Sequence, residues 1–544
     1  MTKNILSFFP TNQHIKSPHP SQVSVLTAID KAFQDGYKNV LLEAPVGSGK
    51  SAIAIACSRY YGSSHIITPR KSLQDQYLDD FGGGGLVLMK GRAAYPCTYP
   101  SEVKTKEYHS LVKKIENGIP IRVSPGSVTC DKGPCKNNAP EYVKCTGMDS
   151  SDGSINSPCP YNVAISAAQR SDAVIHNLHS FVFQAYFTNR FEEREILIID
   201  ECHEMEGVIR GFAEKTAVIK AQFGPGEIPM DSNKTVGDWC VWLMTFADKY
   251  SQVVKMDGSS DRADFLQTIS ELAVFSDKFG EKFTVGVDQN TISRSTRFTF
   301  TPVNIGHLSE RFILSFGKKR LLMSGTIYNK SVFCKNNGLV ESETCFIRIG
   351  STFPKETRPI VFKEEYNVDT SHRTWDENFS EMIEKISDIM ERFEDAKGLV
   401  HTPSYAASLV IENALKHTGR ILSHNRDNFA DTLSSFYNSK EPLVLLSPVC
   451  QQGVDFKYDR ARFQIILRVP YLNTSDAFIG YQVKNDYPWY NHQALVTFGQ
   501  QIGRINRAPD DFGVTFLMDE RFGKFLAKNK SQLPKWLLEG IIYK

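Results

Sequence analysis

The chain has 544 residues, 41% of them hydrophobic and 11% aromatic, and its formal net charge is +2. A length beyond that of one ordinary domain predicts several domains with sizeable cores, and this composition excludes global disorder. With so little net charge, any binding of nucleic acid has to depend on local basic surface. The first residues, MTKNILSFFPTNQ, lack a long apolar core, and no apolar run reaches membrane-spanning length. We therefore expect a soluble, intracellular protein without a membrane partner.

Short aliphatic runs that end in small or polar residues recur along the chain. They are Val40–Leu42, His65–Ile67, Ile196–Ile199, Leu321–Met323, Leu399–Val400, Leu443–Leu446 and Phe463–Leu467. Continuous apolar runs of this kind are typical of parallel strands that are buried on both faces. Their alternation with helical segments predicts an α/β protein, with functional residues at the carboxyl ends of its strands.

A glycine-rich loop lies between a predicted strand and a predicted helix, in NVLLEAPVGSGKS (39–51). The glycines let the backbone curl so that its N–H groups face the phosphates of ATP. The lysine reaches the β- and γ-phosphates, and the following hydroxyl binds Mg²⁺. We therefore assign phosphate binding to Gly47, Ser48, Gly49, Lys50 and Ser51, with Ser51 as the Mg²⁺ ligand.

Residues 97–159 are rich in Cys, Pro, Gly and Ser. This stretch contains five of the chain's 11 cysteines, namely Cys97, Cys130, Cys135, Cys145 and Cys159. Disulfides are rare inside cells, so the clustering predicts a metal site. No CxxC pair occurs, which weakens a zinc-ribbon interpretation. The stretch is also too poor in apolar residues to fold alone, so metal binding would have to contribute folding energy.

The segment EILIIDECH (195–203) is a strand of four aliphatic residues that ends in two carboxylates. Asp200 is predicted to hold Mg²⁺ through its water shell, as hard oxygen ligands do. Glu201 is predicted to orient or deprotonate the water that attacks ATP. Together with the glycine loop, this motif predicts an ATP hydrolase.

A second insert is predicted over residues 207–300. Apolar residues recur there at helical spacing, as in Trp239, Trp242, Leu243 and Phe246, and again in FLQTISELAVF (265–275). This periodicity indicates a mainly helical segment.

The segment QQIGRINR (500–507) places one glutamine and two arginines at fixed offsets. A γ-phosphoryl group in transfer spreads negative charge over three oxygens, which cations from an opposing lobe can stabilise. Arg504 and Arg507 are the candidates for this role, and Gln500 is predicted to lie near the attacking water.

With these motifs assigned, the chain resembles superfamily 2 helicases, and specifically their iron–sulfur XPD/DinG-like branch. DECH is similar to the DEAH-like box of that family, and QQIGRINR matches QxxGRxxR without departure. Three positions depart from the family pattern: Ala44 and Gly325 replace Gly and Ala, and His19 replaces Arg. Further matches, in order, are HPSQ (19–22), ITPRKSLQDQ (67–76), GRAAYPC (91–97), CPYN (159–162), MSGTI (323–327), GLVHTPSY (398–405) and SPVCQQGVDF (447–456).

The resemblance implies two RecA-like lobes, each a parallel sheet flanked by helices, with ATP between them. It also implies a cysteine-rich iron–sulfur insert and an arch-like insert in the first lobe. The implied domains are 1–96, 160–206 and 301–345 for the first lobe, 97–159 for the iron–sulfur insert, 207–300 for the arch-like insert and 346–544 for the second lobe. Gln22 is implied to contact adenine, and residues 67–76 the nucleic-acid backbone.

Four of the five clustered cysteines are implied to hold a 4Fe-4S cluster, in which iron is ligated by thiolates. Cys97 and Cys159 match the two ends of the family's insert. Cys145 is expected as the third ligand, and Cys135 is favoured over Cys130 as the fourth. Zinc and buried free thiols remain alternatives.

The implied function is an ATP-dependent DNA helicase, cytoplasmic or nucleoid-associated, that moves 5′→3′ on single-stranded DNA and opens forked duplex. The cysteine-rich insert would act as a wedge where duplex meets single strand. Its basic and aromatic residues would track the strand, and the alternative is that they form only a solvent-exposed surface. Two other classes remain open: a translocase that displaces proteins, and a redox sensor without hydrolytic activity. The residues that could track the strand are Lys104, Lys106, Tyr108, Lys113, Lys114 and Arg122.

Overall fold

The computed structural model establishes an α/β architecture with two parallel sheets. It describes residues 4–12, 15–82, 85–97, 105–117, 121, 123, 128–133, 159–219, 223, 227–228, 235–251, 266–274, 282–371, 373–450 and 454–543. For residues 105–109 and 246–251 the structure describes the backbone alone.

The described strands are short, and seven of them are buried at every position. In chain order they are β1 (Asn39–Glu43), β2 (Ser64–Thr68), β3 (Leu86–Met89), β4 (Ala173–Asn177), β5 (Arg194–Asp200), β6 (Lys215–Ile219), β7 (Phe283–Asn290), β8 (Ser295–Pro302), β9 (Gly317–Ser324), β10 (Thr344–Arg348), β11 (Ile360–Val361), β12 (Gly398–His401), β13 (Ile421–Leu422), β14 (Val444–Ser447), β15 (Phe463–Ile466), β16 (Val514–Leu517) and β17 (Ile541–Ile542).

Helices connect most of these strands. In chain order they are α1 (Pro20–Gln34), α2 (Lys50–Tyr61), α3 (Lys71–Phe81), α4 (Thr105–Glu116), α5 (Pro160–Arg170), α6 (Leu178–Val182), α7 (Met205–Ala213), α8 (Val236–Ser251), α9 (266–274), α10 (Gly306–Phe312), α11 (Lys330–Asn337), α12 (Phe379–Arg392), α13 (Tyr405–Leu415), α14 (Phe429–Asn438), α15 (Ala477–Asn485), α16 (Tyr487–Ile502), α17 (Phe522–Asn529) and α18 (Lys535–Leu538).

The first sheet has seven parallel strands in the order β10-β1-β9-β5-β2-β4-β3. Strands β1, β2 and β3 are buried at every position, which explains their continuous apolar sequence. Strand β9 lies between β1 and β5, and Glu43 is level with Ser324 while Asp200 is level with Met323. The carboxyl ends that carry the glycine loop, MSGTI and DECH are therefore adjacent.

The second sheet also has seven parallel strands, in the order β13-β14-β12-β15-β16-β11-β17. Its central strands β12, β14, β15 and β16 are buried throughout. Buried helical residues such as Ile386, Ile389 and Ile411 pack against this sheet. The prediction of two parallel sheets flanked by helices is confirmed.

A third sheet, which the sequence interpretation did not include, lies within residues 207–302. Its strands are antiparallel, in the order β6-β8-β7, and Phe298 and Phe300 of β8 are buried against Trp239 of α8. The helices predicted there are present as α8 and α9, so the description "mainly helical" was incomplete. Strand β7 is only half-buried or exposed along its length, and this pattern lacks the apolar run by which the other strands were identified.

Three predicted domain boundaries fall inside regular elements. The boundary after residue 206 lies in α7, the boundary after 300 lies in β8, and the boundary after 345 lies in β10. Because β10 pairs with β1 along its length, the first sheet extends to Arg348.

The two lobes contact each other through hydrogen bonds between α7 and α16. Glu206 accepts from the Trp489 indole at 2.6 Å and from the Gln493 amide at 3.1 Å. Arg210 forms an ion pair with the same carboxylate at 2.7 Å.

In the part of the chain that the structure describes, no helix combines the length and the apolarity that a membrane crossing requires.

Candidate active site between the two lobes

The glycine loop joins β1 to the first residue of α2. Gly47 and Gly49 have φ angles of 78° and 76°, a left-handed conformation that glycine adopts without steric cost. A Cβ atom at Gly47 would collide with the Phe353 ring, and one at Gly49 would collide with the Gln22 amide. Backbone conformation and close packing therefore both require glycine at these two positions.

Gln22 holds the start of α1 against this loop. Its amide donates to the Ser48 carbonyl oxygen at 3.2 Å, and its Oε1 accepts from the His19 backbone N–H at 2.8 Å. The second bond is part of a capping box at the start of α1, in which His19 takes the N-cap position. These contacts bring Gln22 to the glycine loop, and its predicted contact with adenine stays a prediction.

Lys50 and Glu201 converge from the segments that follow β1 and β5, which lie on either side of β9. The Lys50 Nζ donates to the Ala44 carbonyl oxygen at 3.2 Å and lies 3.9 Å from the Glu201 Oε1. Glu201 has a φ angle of 53°, which turns the chain sharply after β5. Asp200 accepts from the Glu201 backbone N–H at 3.0 Å through Oδ1. The structure thus brings together a cation and two carboxylates that sequence reasoning assigned to ATP chemistry.

The two carboxylates have opposite electrostatic environments. Burial, followed by repulsion from Glu201, raises the pKa of Asp200 to about 6. Burial also acts to raise the pKa of Glu201, but Lys50, His203 and Arg504 are among the charged groups that outweigh it and lower that pKa. Glu201 is therefore ionised at neutral pH, as an acceptor of a water proton must be.

Tyr77 of α3 is a site residue that sequence reasoning missed. Its ring is fully buried, and its hydroxyl donates to the Asp200 Oδ2 at 2.9 Å. The Ser51 side chain also acts on this phenol, since hydrogen bonding from Ser51 lowers the pKa of Tyr77. Burial, followed by repulsion from Asp200, raises the pKa of Tyr77 well above its usual range, so the phenol remains a proton donor.

A hydrogen-bonded path crosses from the first lobe to the second. His203 Nδ1 lies 2.9 Å from the Ser324 Oγ, which lies 3.4 Å from the Thr326 Oγ1. The Gln500 amide donates to that Thr326 oxygen at 2.9 Å. In turn, Arg504 donates to the Gln500 Oε1 at 3.0 Å. The path connects DECH, MSGTI and QQIGRINR, which are far apart in sequence.

The two predicted arginines have different environments. Arg504 is buried, and its guanidinium donates to the carbonyl oxygens of Gln500 and Val454, both at 2.9 Å. Burial lowers the pKa of Arg504 to about 10, with a further lowering by Arg507, so Arg504 remains charged at neutral pH. Arg507 is more exposed and lies 3.4 Å from the Asp455 carboxylate.

Two ion pairs near the site were also missed. Arg70, within the segment 67–76, contacts Glu204 at 2.7 Å. Glu43, buried at the end of β1, accepts from the backbone N–H groups of residues 327 and 328 and pairs with Arg348 at 2.6 Å. A charged residue that ends an otherwise apolar strand, as Glu43 does, is the sequence signal that could have identified the second pair.

Three of the five clustered cysteines lie in the described residues, and none is in a disulfide. The Cys130 and Cys159 sulfurs are 3.6 Å apart, and a Cβ atom at Gly133 would lie 2.8 Å from the Cys97 sulfur. Cys130, the least favoured ligand candidate, therefore lies beside one of the two most favoured. Cys135 and Cys145 fall outside the described residues.

The Cys159 thiol lies at the N-cap of α5. A hydrogen bond from Cys130 is the largest cause that lowers the pKa of Cys159, to about 6, and the backbone N–H groups of Asn162 and Tyr161 act in the same direction. Among the described residues, no group of three or more His, Cys, Asp or Glu side chains is already arranged around one metal position.

Residues of both lobes act on the same carboxylate, because Lys50 of the first lobe and Arg504 of the second both lower the pKa of Glu201. Two family profiles match: "Type III restriction enzyme, res subunit" over residues 15–223 and "Helicase C-terminal domain" over residues 386–540. In these two regions the chain is similar to the helicases of superfamily 2, and the matches support an XPD/DinG-like helicase.

Two curated relatives match short stretches of the chain. The yeast (Saccharomyces cerevisiae) General transcription and DNA repair factor IIH helicase subunit XPD/RAD3 is 29% identical over 100 residues, which are 16% of this chain and 12% of that protein. The human (Homo sapiens) Regulator of telomere elongation helicase 1 is 26% identical over 137 residues, which are 21% of this chain and 11% of that protein. The chain therefore matches about an eighth or less of each relative's length.

Structural similarity extends over nearly the whole chain. A solved XPD helicase has a TM-score of 0.59 at 17% identity, with 97% of this chain and 99% of that chain covered. S. tokodaii Xpd4 has a TM-score of 0.55 at 14% identity, with 97% of this chain and 100% of that chain covered. At these identities the likeness establishes the fold.

Proposed function

We propose that this protein is an ATP-dependent DNA helicase that translocates 5′→3′ on single-stranded DNA and separates duplex at a fork. The observation that carries this proposal is the convergence of Lys50, Glu201 and Arg504 at the cleft between two parallel sheets. A hydrolytic set split between two lobes is of use to a motor, because closure and opening of the cleft then accompany each ATP cycle.

In the proposed reaction, water attacks the γ-phosphorus of ATP while the bond from that phosphorus to the β–γ bridging oxygen breaks. The new P–O bond forms to the water oxygen, the water proton passes to the Glu201 carboxylate, and ADP and inorganic phosphate leave. Lys50 and Arg504 face the charge that develops on the transferred group, and Gln500 is positioned by Thr326 to orient the attacking water.

The side chains near the phosphates also suit Mg²⁺. Ser51 and Asp200 supply the hard oxygen donors that this ion prefers, and the shared contact with Tyr77 places the two donors near each other. Bound Mg²⁺ would neutralise negative charge on the β- and γ-phosphates. Gln22 would hold the adenine end of the nucleotide, next to the loop that binds its phosphates.

Coupling of hydrolysis to movement would use the path from His203 to Arg504. The Thr326–Gln500 bond joins the end of β9 in the first lobe to α16 in the second. Loss of the γ-phosphate would remove the anion that draws Arg504 and Lys50 together, so the lobes would separate. Alternating closure and opening would advance the strand, in the cytoplasm or on the nucleoid, with residues 67–76 among its contacts.

The cysteine-rich insert would hold a 4Fe-4S cluster at the point of strand separation. Two of the thiols are suitably close, because the Cys130 and Cys159 sulfurs are 3.6 Å apart, and thiolates are the ligands of such clusters. Cys97 would be the third ligand. The fourth ligand would come from Cys135 or Cys145, and zinc is the alternative metal. Lys113 and Lys114 are exposed on α4 and would contact the DNA backbone.

The test of this proposal compares the wild type with Lys50→Ala and Glu201→Gln. We expect ATP hydrolysis stimulated by single-stranded DNA in the wild type only, with ATP binding retained in Glu201→Gln and lost in Lys50→Ala. Loss of such a group typically costs about 10²–10³-fold or more in rate. Near-native turnover by Glu201→Gln would overturn the assignment of DECH as the catalytic motif.

A second test concerns the insert and uses Cys159→Ser, with Cys345→Ser as a matched control on β10. We expect Cys159→Ser to lose iron and strand displacement while retaining at least part of its ATPase activity. Cys345→Ser should keep both its iron and its strand displacement. Iron content and the visible spectrum are measured on the same preparation. Full strand displacement by an iron-free Cys159→Ser protein would refute the wedge role.

A further inference from the structure

The Tyr77 hydroxyl lies between two side chains that the proposed function assigns to Mg²⁺. It donates to the Asp200 Oδ2 at 2.9 Å, and hydrogen bonding from Ser51 acts on the pKa of the same phenol. Asp200 is the last residue of β5 and Ser51 the second residue of α2, so Tyr77 acts on side chains of two elements. None of the motifs in the sequence contains this tyrosine.

The orientation of Asp200 is fixed on both of its oxygens. Oδ1 accepts from the Glu201 backbone N–H at 3.0 Å, and Oδ2 accepts from Tyr77. A carboxylate held by two donors has one orientation, and its remaining lone pairs point in fixed directions. Removal of the phenol would free one side of the carboxylate to rotate.

The position of Tyr77 is itself rigid. The ring is fully buried and belongs to the same core as Ile66 of β2 and Ile198 of β5. One turn earlier in α3, the buried Gln74 donates to the Met89 carbonyl oxygen at 3.3 Å, which fixes the helix against β3. A phenol held in this way can transmit a fixed geometry to its two partners.

We propose that Tyr77 is a positioning residue that presents Ser51 and Asp200 in the geometry that Mg²⁺ bound with a nucleotide requires. The inference rests on the proposed function, because it takes the Mg²⁺ roles of these side chains from it. Hydrogen-bond partners of metal ligands orient those ligands, and their loss typically costs about 10- to 100-fold in metal affinity.

The experiment uses Tyr77→Phe, which keeps the ring and removes only the hydroxyl. The matched control is Tyr61→Phe at the other end of α2, where the lost hydroxyl donates to the Asp30 carboxylate at 3.1 Å. Mn²⁺ is the probe, because its binding to the protein–ADP complex is measured directly by electron paramagnetic resonance. Thermal unfolding of the metal-free proteins establishes that both variants fold.

We expect the Kd of Mn²⁺ in the ADP complex to rise about tenfold or more in Tyr77→Phe. The affinity for ADP in EDTA should stay unchanged, and Tyr61→Phe should match the wild type in both measurements. The Mg²⁺ concentration for half-maximal ATPase activity should rise in parallel, with little change in kcat at saturating Mg²⁺.

Equal or tighter Mn²⁺ binding by a folded Tyr77→Phe protein would overturn the inference. Equal binding would mean that the phenol does not set the ligand geometry, and tighter binding would mean that it competes with the metal. A wild-type protein that bound neither ADP nor Mn²⁺·ADP would instead refute the proposed function, so the two failures are distinguishable.

Discussion

Gln500 of the second lobe donates a hydrogen bond of 2.9 Å to Thr326 of the first lobe, and both side chains are buried. The Thr326 side chain lies beside Ser324, which contacts His203 of DECH. The Gln500 side chain in turn accepts a hydrogen bond from Arg504. One bond between neutral side chains thus connects the proposed water-activating region to the arginine of the opposing lobe.

The first prediction concerns this bond. Thr326→Val and Gln500→Met should each lower the DNA-stimulated kcat about fivefold, because a hydrogen bond typically contributes about 1 kcal/mol and about 1.4 kcal/mol is tenfold in rate. The double variant should lose less than the product of the two single losses, since both changes remove the same interaction. Steady-state ATPase assays measure this coupling.

The control for that cycle is Thr301→Val, which removes a buried threonine hydrogen bond of 2.9 Å to Glu214 on the antiparallel sheet. We expect a normal kcat from it. If the losses from Thr326→Val and Gln500→Met simply multiplied in the double variant, the bond would not couple the two lobes.

The second prediction separates the two arginines. Arg504→Ala and Arg507→Ala should bind ATP nearly normally and hydrolyse it slowly, with a loss in kcat of about 10³-fold for Arg504 and a smaller one for the more exposed Arg507. Arg504→Lys should not restore activity, because one ammonium group cannot reproduce the three contacts of the guanidinium. Single-turnover hydrolysis and nucleotide titration measure the two properties separately.

A different outcome would reassign these residues. Variants that lost nucleotide affinity but kept normal turnover at saturation would place the arginines in ground-state recognition.

Much of this site was predictable because its residues belong to short motifs at the ends of apolar strands. Lys50 and Glu201 were identified in this way, and their 3.9 Å approach follows from the parallel order of the first sheet. The contacts of Tyr77 with Asp200 and of Gln500 with Thr326 join residues 123 and 174 positions apart. Such pairs depend on how helices pack against the sheets, and single-sequence patterns do not encode that packing.

The antiparallel sheet was missed for a related reason. Strand β7, Phe283–Asn290, has exposed and half-buried residues and includes Gly286, Asp288 and Asn290. These residue types are depleted in strands, so local propensity does not identify the element. Its pairing with β8 defines it instead.

The third prediction is that Asp200→Asn stabilises the nucleotide-free protein at pH 8. Burial raises the pKa of Asp200 to about 6 from 3.8, so the folded state binds a proton more readily than the unfolded state. Stability therefore falls as the pH rises from about 4 through 6, and the charged carboxylate remains a cost above that range. Removal of this charge should raise the free energy of unfolding by about 1–3 kcal/mol at pH 8 and change it little at pH 4.

Thermal unfolding at the two pH values measures this effect, with Asp35→Asn as an exposed control at the end of α1. Equal destabilisation by Asp200→Asn at both pH values would show that the buried charge carries no such cost.

The fourth prediction concerns two buried histidines on the neighbouring strands β2 and β4. His65 Nδ1 lies 3.1 Å from the His176 Nε2, and burial is the largest cause that lowers both pKa values, that of His65 to about 3. Their folded-state pKa values lie below the unfolded value of 6.5, so they remain neutral in the folded protein. The unfolded chain binds these protons first, and stability should fall as the pH drops below about 6.5.

His176→Leu should weaken this pH dependence. The variant loses a hydrogen bond, so it should be less stable than the wild type at pH 8 by about 1–2 kcal/mol, and the difference should narrow towards pH 5. Denaturant unfolding across this range measures it. A constant difference between the two proteins would exclude the histidine pair as a source of acid sensitivity.

The measurement that tests the central claim most directly is strand displacement on a forked duplex with a 5′ single-stranded tail. We expect the wild type to separate the strands with ATP and Mg²⁺, and to fail on the same duplex with only a 3′ tail. Glu201→Gln should bind ATP and DNA without separating either substrate. Strand separation by Glu201→Gln at the wild-type rate, or by the wild type without ATP, would contradict the account of an ATP-driven motor.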